Sequence, residues 1–161
     1  MTVIAYKDGV LAGDSLWCGE HGDVYTLANK VFRFPSGVLY GGAGEGDDRE
    51  FVRILKRARR PEQLPQIKGL RKLKQGLSAI MVFPDGRVFT VDTSVRDDEP
   101  VGISEVMERV AAIGAGGQWA LAAMDNGRSA IEAVEYTCKR NVYCRLPVTH
   151  VELKPPKKPK R

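Results

Sequence analysis

Residues 2–6 and 10–14 are two short apolar runs on either side of Lys7-Asp8-Gly9. Asp-Gly in that setting is a strong signal for a two-residue hairpin turn, because both turn positions need a positive φ. A turn at Asp8-Gly9 sets the register. Lys7 faces Val10, Ala5 faces Ala12, Val3 faces Asp14 and Thr2 faces Ser15. The hairpin thus brings the beginning of the sequence beside a carboxylate, and any larger fold must be built around that placement.

The remaining pattern adds hairpins and helices in alternation. Residues 30–34 and 37–43 form a second hairpin turned at Pro35-Ser36-Gly37, and residues 77–83 and 87–92 a third around Pro84-Asp85-Gly86. A helix is expected over 47–59, with Phe51, Val52, Leu55 and Ala58 on one face and Asp47 and Asp48 at its positive end. Residues 60–75 are basic and poorly periodic and read as a loop. A second loop runs to about 104, and 106–113 is partly strand. Gly114-Ala115-Gly116-Gly117 opens a helix to about 124. Ser129-Ala130-Ile131-Glu132 is a capping box that starts a last helix to about 139, and 147–153 is a closing strand. This order suits two antiparallel sheets packed face to face with helices outside, an α+β arrangement, rather than parallel βαβ units.

The chain has 161 residues, enough for one domain, expected over 1–153. No stretch reaches the roughly 18 apolar residues of a membrane span, and the start lacks the pattern of a signal peptide. Cys18, Cys138 and Cys144 are odd in number and form no C-x-x-C, which suggests a reducing cytoplasm. Of the net charge of +5, residues 154–161 (KPPKKPKR) carry all five units, so the body sums to zero. That Pro-rich tail is expected to be disordered and is the only segment read as a contact for nucleic acid or an acidic partner. No aromatic is interleaved with its lysines, so base stacking is not expected there.

Several chemistries lack their residues. His21 and His150 lie in unlike contexts without metal-ligand spacing. There is no G-x-S-x-G elbow and no P-loop. Gly114 and Gly116 imitate half of a dinucleotide fingerprint, but Trp119 stands where the third glycine belongs. One set does fit together. Thr2 follows a methionine of the kind removed before small residues. Its free α-amine, with a pKa near ~8, could then take the proton from its own hydroxyl. Such a nucleophile needs no histidine. It needs a fixed cation, a carboxylate to hold that cation, and N–H donors for an oxyanion. Asp14 can be the carboxylate and Lys30, at the start of the next strand, the cation. Gly44, at the turn Gly41-Gly42-Ala43-Gly44, can be the donor.

The stretch from Thr2 to Asp14 (TVIAYKDGVLAGD) resembles the opening of proteasome β subunits and of the bacterial peptidase HslV. So do Asn29-Lys30-Val31, the Gly41–Gly44 turn with its acidic helix start, and Ala112-Ile113-Gly114-Ala115-Gly116-Gly117. The likeness runs over about 2–153 and is nearest to short proteasome-like proteins of bacteria and phages. It implies a four-layer αββα sandwich, the N-terminal nucleophile hydrolase fold, with Thr2 as nucleophile. Asp14 and Lys30 are then its charged partners and Gly44 the oxyanion donor. It also implies hydrolysis of peptides or unfolded protein without a cofactor, a homo-oligomeric ring, and an ATPase partner whose identity is open. The spacing from Thr2 to Asp14 is about four residues shorter than in better-known members, an even change that preserves side-chain faces. Two departures bear on turnover. Ala115 stands where the family usually has serine, and Asn141, in Arg140-Asn141-Val142-Tyr143-Cys144, stands where it often has aspartate. The alternative expectation is therefore a non-catalytic scaffold or phage accessory protein of the same fold.

Overall fold

In the computed structural model, Asp8 (φ 49°) and Gly9 (φ 84°) form the expected turn. It joins β1 (Ile4–Lys7) to β2 (Val10–Gly13), with Lys7 opposite Val10 and Ala5 opposite Ala12. The structure describes residues 2–18, 24–25, 27–44, 48–73, 75–94 and 101–154. Met1, His21, Asp47 and residues 155–161, to which several expectations refer, lie outside the described residues. Pairing continues past β2, where Asp14 N donates to Val3 O at 3.1 Å. It stops there. Ser15 N turns to Arg145 O (3.0 Å) and Thr2 O accepts from Gly116 N (3.1 Å), so residue 2 is held by a later turn rather than by Ser15.

A short pair, β3 (Trp17–Cys18) and β4 (Val24–Tyr25), precedes β5 (Val31–Arg33) and β6 (Leu39–Gly44). Helix α1 (Arg49–Leu55) and two 3-10 segments, Pro61–Gln66 and Leu70–Lys72, lead to β7 (Leu77–Val82), β8 (Val88–Asp92) and β9 (Gly102–Glu105). Then come β10 (Val110–Ile113), α2 (Gly117–Asp125), α3 (Ala130–Arg140) and β11 (Thr149–Glu152). One antiparallel sheet has the order β10-β1-β2-β11 and the other β5-β6-β7-β8-β9.

The period-two alternation of strands assigns each side chain to a layer. Ile4, Tyr6 and Leu11 of the first sheet meet Val31, Leu39, Ile80 and Val82 of the second. On the opposite face of β1 and β2, Val3, Ala5 and Ala12 pack under α2 and α3. On the opposite face of the second sheet, Tyr40, Ala79 and Met81 pack under α1 and the 3-10 segments. The result is helix, sheet, sheet, helix. At the β2–β6 crossing the two sheets come close. A Cβ on Gly41 would lie 2.5 Å from Ile4 Cγ2, and one on Gly13 would lie 2.8 Å from Ile4 Cδ1. Glycine at both positions gives Ile4 its space and lets a residue beside β5 reach the first sheet.

Three expectations are corrected. The helix expected over 47–59 spans only Arg49–Leu55, ending ahead of Pro61, although Ala58 is still buried. Residues 60–75 are not simply a loop. Their 3-10 turns have no 3.6-residue period and are anchored by two leucines, Leu64 and Leu70. The loop expected to about 104 ends in an edge strand, Gly102–Glu105, which is half-buried or exposed throughout and shows no alternation. The capping box is present: Ser129 N donates to Glu132 Oε2 (2.8 Å) and Glu132 N to Ser129 Oγ (3.3 Å). Ser129→Ala is expected to cost about 1 kcal/mol, read as a lower melting temperature.

Candidate functional site

Asp14 is fully buried at the end of the first hairpin. A carboxylate there must be satisfied by donors, because burial of an unpaired charge is costly. Four donors converge on it. Val3 N (3.0 Å) and Lys30 Nζ (2.8 Å) donate to Oδ1, while Leu16 N (3.0 Å) and Arg145 N (3.2 Å) donate to Oδ2.

Lys30 comes from the other sheet. Its carbonyl accepts from Gly42 N at 3.1 Å, which fixes it immediately before β5. Its side chain, 10% exposed, crosses to the first sheet at the close approach described above. There Nζ donates to Thr2 Oγ1 at 2.8 Å as well as to Asp14. Thr2 is itself buried. Beyond the grip of Gly116 N on its carbonyl, Gly114 (φ 87°) lies so close that a Cβ there would stand 2.3 Å from Thr2 O. Glycine is required at 114 both for its backbone conformation and for this approach.

The structure thus brings Thr2, Asp14 and Lys30 together. An ammonium that donates to a hydroxyl stabilises that oxygen as negative charge develops on it, and the carboxylate supplies the ammonium with a counter-charge in a site largely closed to water. Gly44 is placed differently. It is exposed at the end of β6 with φ 149°, and no hydrogen bond joins it to the three among the described residues. Its partner on β7, Leu77, accepts from Thr93 N and so faces β8. Gly44 N–H is therefore directed to the β5 edge, the one where Gly42 meets Lys30.

Asn141, just after α3, donates from Nδ2 to Ala115 O (3.0 Å) and accepts at Oδ1 from Tyr143 N (2.9 Å). The segment it begins continues through Arg145, whose N–H holds Asp14, to Pro147, whose carbonyl accepts from Ser15 Oγ. His150 is exposed on β11 near Glu152. Cys138 and Cys144 lie near the site. Burial first and the Asp14 charge second push their thiols up from 9.0, to about 11 and about 12 respectively. Both are thiols at neutral pH, and alkylation by iodoacetamide followed by intact mass should leave them largely unmodified. Since folding raises both values, their contribution to stability is complete below about pH 9 and is lost as pH climbs through the folded values, so the melting temperature should fall across that window.

No family model and no curated protein matches the sequence. Solved structures do. BPH of Thiobacillus denitrificans superposes with a TM-score of 0.60 at 18% identity, over 96% of this chain and 98% of that one. Eukaryotic HslV from Trypanosoma brucei superposes with a TM-score of 0.58 at 21% identity, over 94% and 98%.

The fold is that of the N-terminal nucleophile hydrolases. Within this N-terminal nucleophile hydrolase fold, sequence reasoning located the side chains that meet at residue 2 and missed the backbone that holds them. The Gly114–Gly117 run was a visible signal for a tight turn but not for its grip on Thr2. Arg145 carried no signal at all, since it acts through a main-chain N–H that any residue but proline supplies. Among the described residues no helix is long and apolar enough to cross a membrane.

Proposed function

We propose that this chain is a threonine-type peptidase or amidase of the reducing cytoplasm, working as a homo-oligomeric ring on peptide or unfolded-protein substrates. The observation that carries the reading is the contact of Lys30 Nζ with Thr2 Oγ1 at 2.8 Å, made by a lysine already paired with buried Asp14. Cleavage of the Met1–Thr2 bond would free the α-amine of Thr2. That amine takes the hydroxyl proton as Oγ1 bonds to the substrate carbonyl carbon, and Lys30 stabilises the oxygen as it loses the proton. Gly44 N–H is assigned to the oxyanion. The C–N bond then breaks, the proton leaves with the amine, and water hydrolyses the ester. The ring rests on likeness to HslV alone.

A second reading, a non-catalytic scaffold of the same fold, has its own observation. The Asn141 side chain is engaged by Ala115 O and Tyr143 N, where the resembling family often has an aspartate and a serine. One experiment separates the two. The purified protein is incubated with a threonine-directed epoxyketone, and its intact mass is measured before and after. The enzyme reading expects loss of Met1 and one adduct on Thr2. Retained Met1 with no adduct would leave the scaffold reading. Sedimentation of a monomer at micromolar concentration would remove the ring from either.

A further inference from the structure

The zero net charge of residues 1–153 conceals a division. Residues 49–75 hold ten Lys and Arg against two acids, a net of +8. The rest of 1–153 holds ten bases against eighteen acids, a net of −8. Solubility alone favours interspersed signs, so a segregation of this size marks a face with a partner of opposite charge.

The fold gathers the basic segment on one outer layer, α1 and the 3-10 turns over the five-stranded sheet. Its two acids are already engaged. Glu50 takes Arg53 at 2.5 Å, and Glu62 takes Arg87 from the β7–β8 turn at 2.6 Å. Lys56, Arg57, Arg59, Arg60, Lys68 and Lys72 are exposed and make no ion pair with a carboxylate among the described residues. Between α1 and the 3-10 segments lies an open cleft of about 580 Å³, with Arg57 on one wall, Lys68 and Lys72 on the other, and Ile54 and Ile67 among its lining.

We propose that this face binds nucleic acid through its phosphates, without reading sequence. Cations on both walls of a cleft and beyond it match a chain that carries one negative charge per residue. The guanidinium groups suit phosphate geometry. Among the described residues no aromatic side chain lines the cleft, so the contact is to the backbone rather than by base stacking. An acidic peptide fits less well. The layer is helix and 3-10 turn, with no open strand edge on which a peptide could pair. The basic tail adds to this contact and is not its origin. The proposal is independent of the chemistry at Thr2.

The test is fluorescence anisotropy of the full chain with labelled single-stranded and duplex oligonucleotides, from about 50 to about 200 mM salt. Wild type should bind both, more weakly as salt rises. The triple variant Arg57→Glu, Lys68→Glu, Lys72→Glu should bind at least about tenfold more weakly, with a salt slope smaller by about 2–3. The neutral set Arg57→Gln, Lys68→Gln, Lys72→Gln should show a smaller loss in the same direction and guards against misfolding of the reversed protein. Deleting residues 154–161 should leave part of the affinity. The proposal is overturned by absence of binding at the lowest salt, by unchanged affinity in both triple variants, or by complete loss on tail deletion alone. It is also overturned if polyglutamate of equal charge competes as well as the oligonucleotide, which would assign the face to an acidic protein.

Discussion

Asp14→Ala is expected to destabilise the fold by about 3–5 kcal/mol, the range for removing one partner of a buried charge pair. The change leaves three main-chain donors, Val3 N, Leu16 N and Arg145 N, without their acceptor in a region closed to water, and strands the Lys30 ammonium beside them. Alanine supplies nothing to any of the four. Asp14→Asn keeps one acceptor oxygen but can no longer serve donors on both sides, so its cost should be intermediate. Urea unfolding of the three proteins at neutral pH measures the series. A loss below about 1 kcal/mol for Asp14→Ala would mean that water reaches these donors and that the carboxylate is not the keystone of the hairpin end.

Lys30→Met should slow labelling of Thr2 by a threonine-directed epoxyketone or β-lactone by about 10²–10³-fold, the usual loss when one preorganised charge-stabilising donor is removed. Methionine retains most of the volume, so the packing at the β2–β6 crossing survives while the donor to Thr2 Oγ1 goes. Lys30→Ala, compared with it, isolates the contribution of packing. Rates are read as adduct formation over time by mass spectrometry. Equal labelling of wild type and Lys30→Met would show that the 2.8 Å contact has no part in activating the hydroxyl. If wild type itself is never labelled, Ala115→Ser with Asn141→Asp is the variant that tests whether those two positions withhold activity.

The parts of this structure that were legible in the sequence were set by short-range rules. Asp8-Gly9 dictates a turn type, the turn dictates a register, and the register places Asp14 next to the first residues. Lys30 was legible because it opens the first arm of the second expected hairpin and because the stretch around it resembles a known family. The illegible parts depend on side-by-side chains distant in sequence. The holds of Gly116 on Thr2 and of Arg145 on Asp14 are made by main-chain N–H groups, so no side chain announces them. The segment 60–75 hid two buried leucines among six charged residues, and summing charge over the whole body hid the basic layer to which the same segment contributes.

Strand β1 lies between β2, its immediate successor, and β10, which pairs Ile113 with Ile4 across more than a hundred residues. Proteins are made from the first residue onward. A ribosome delivers Thr2, Asp14 and Lys30 well before the groups that seat them, Gly116 and Arg145. The early hairpin has neither its second neighbour nor its covering helices until then, and distant pairing of this kind forms slowly. A nascent or prematurely terminated chain therefore carries Thr2 without the contacts that seat it, and the arrangement around its hydroxyl is complete only once the later strands and turns have closed around it.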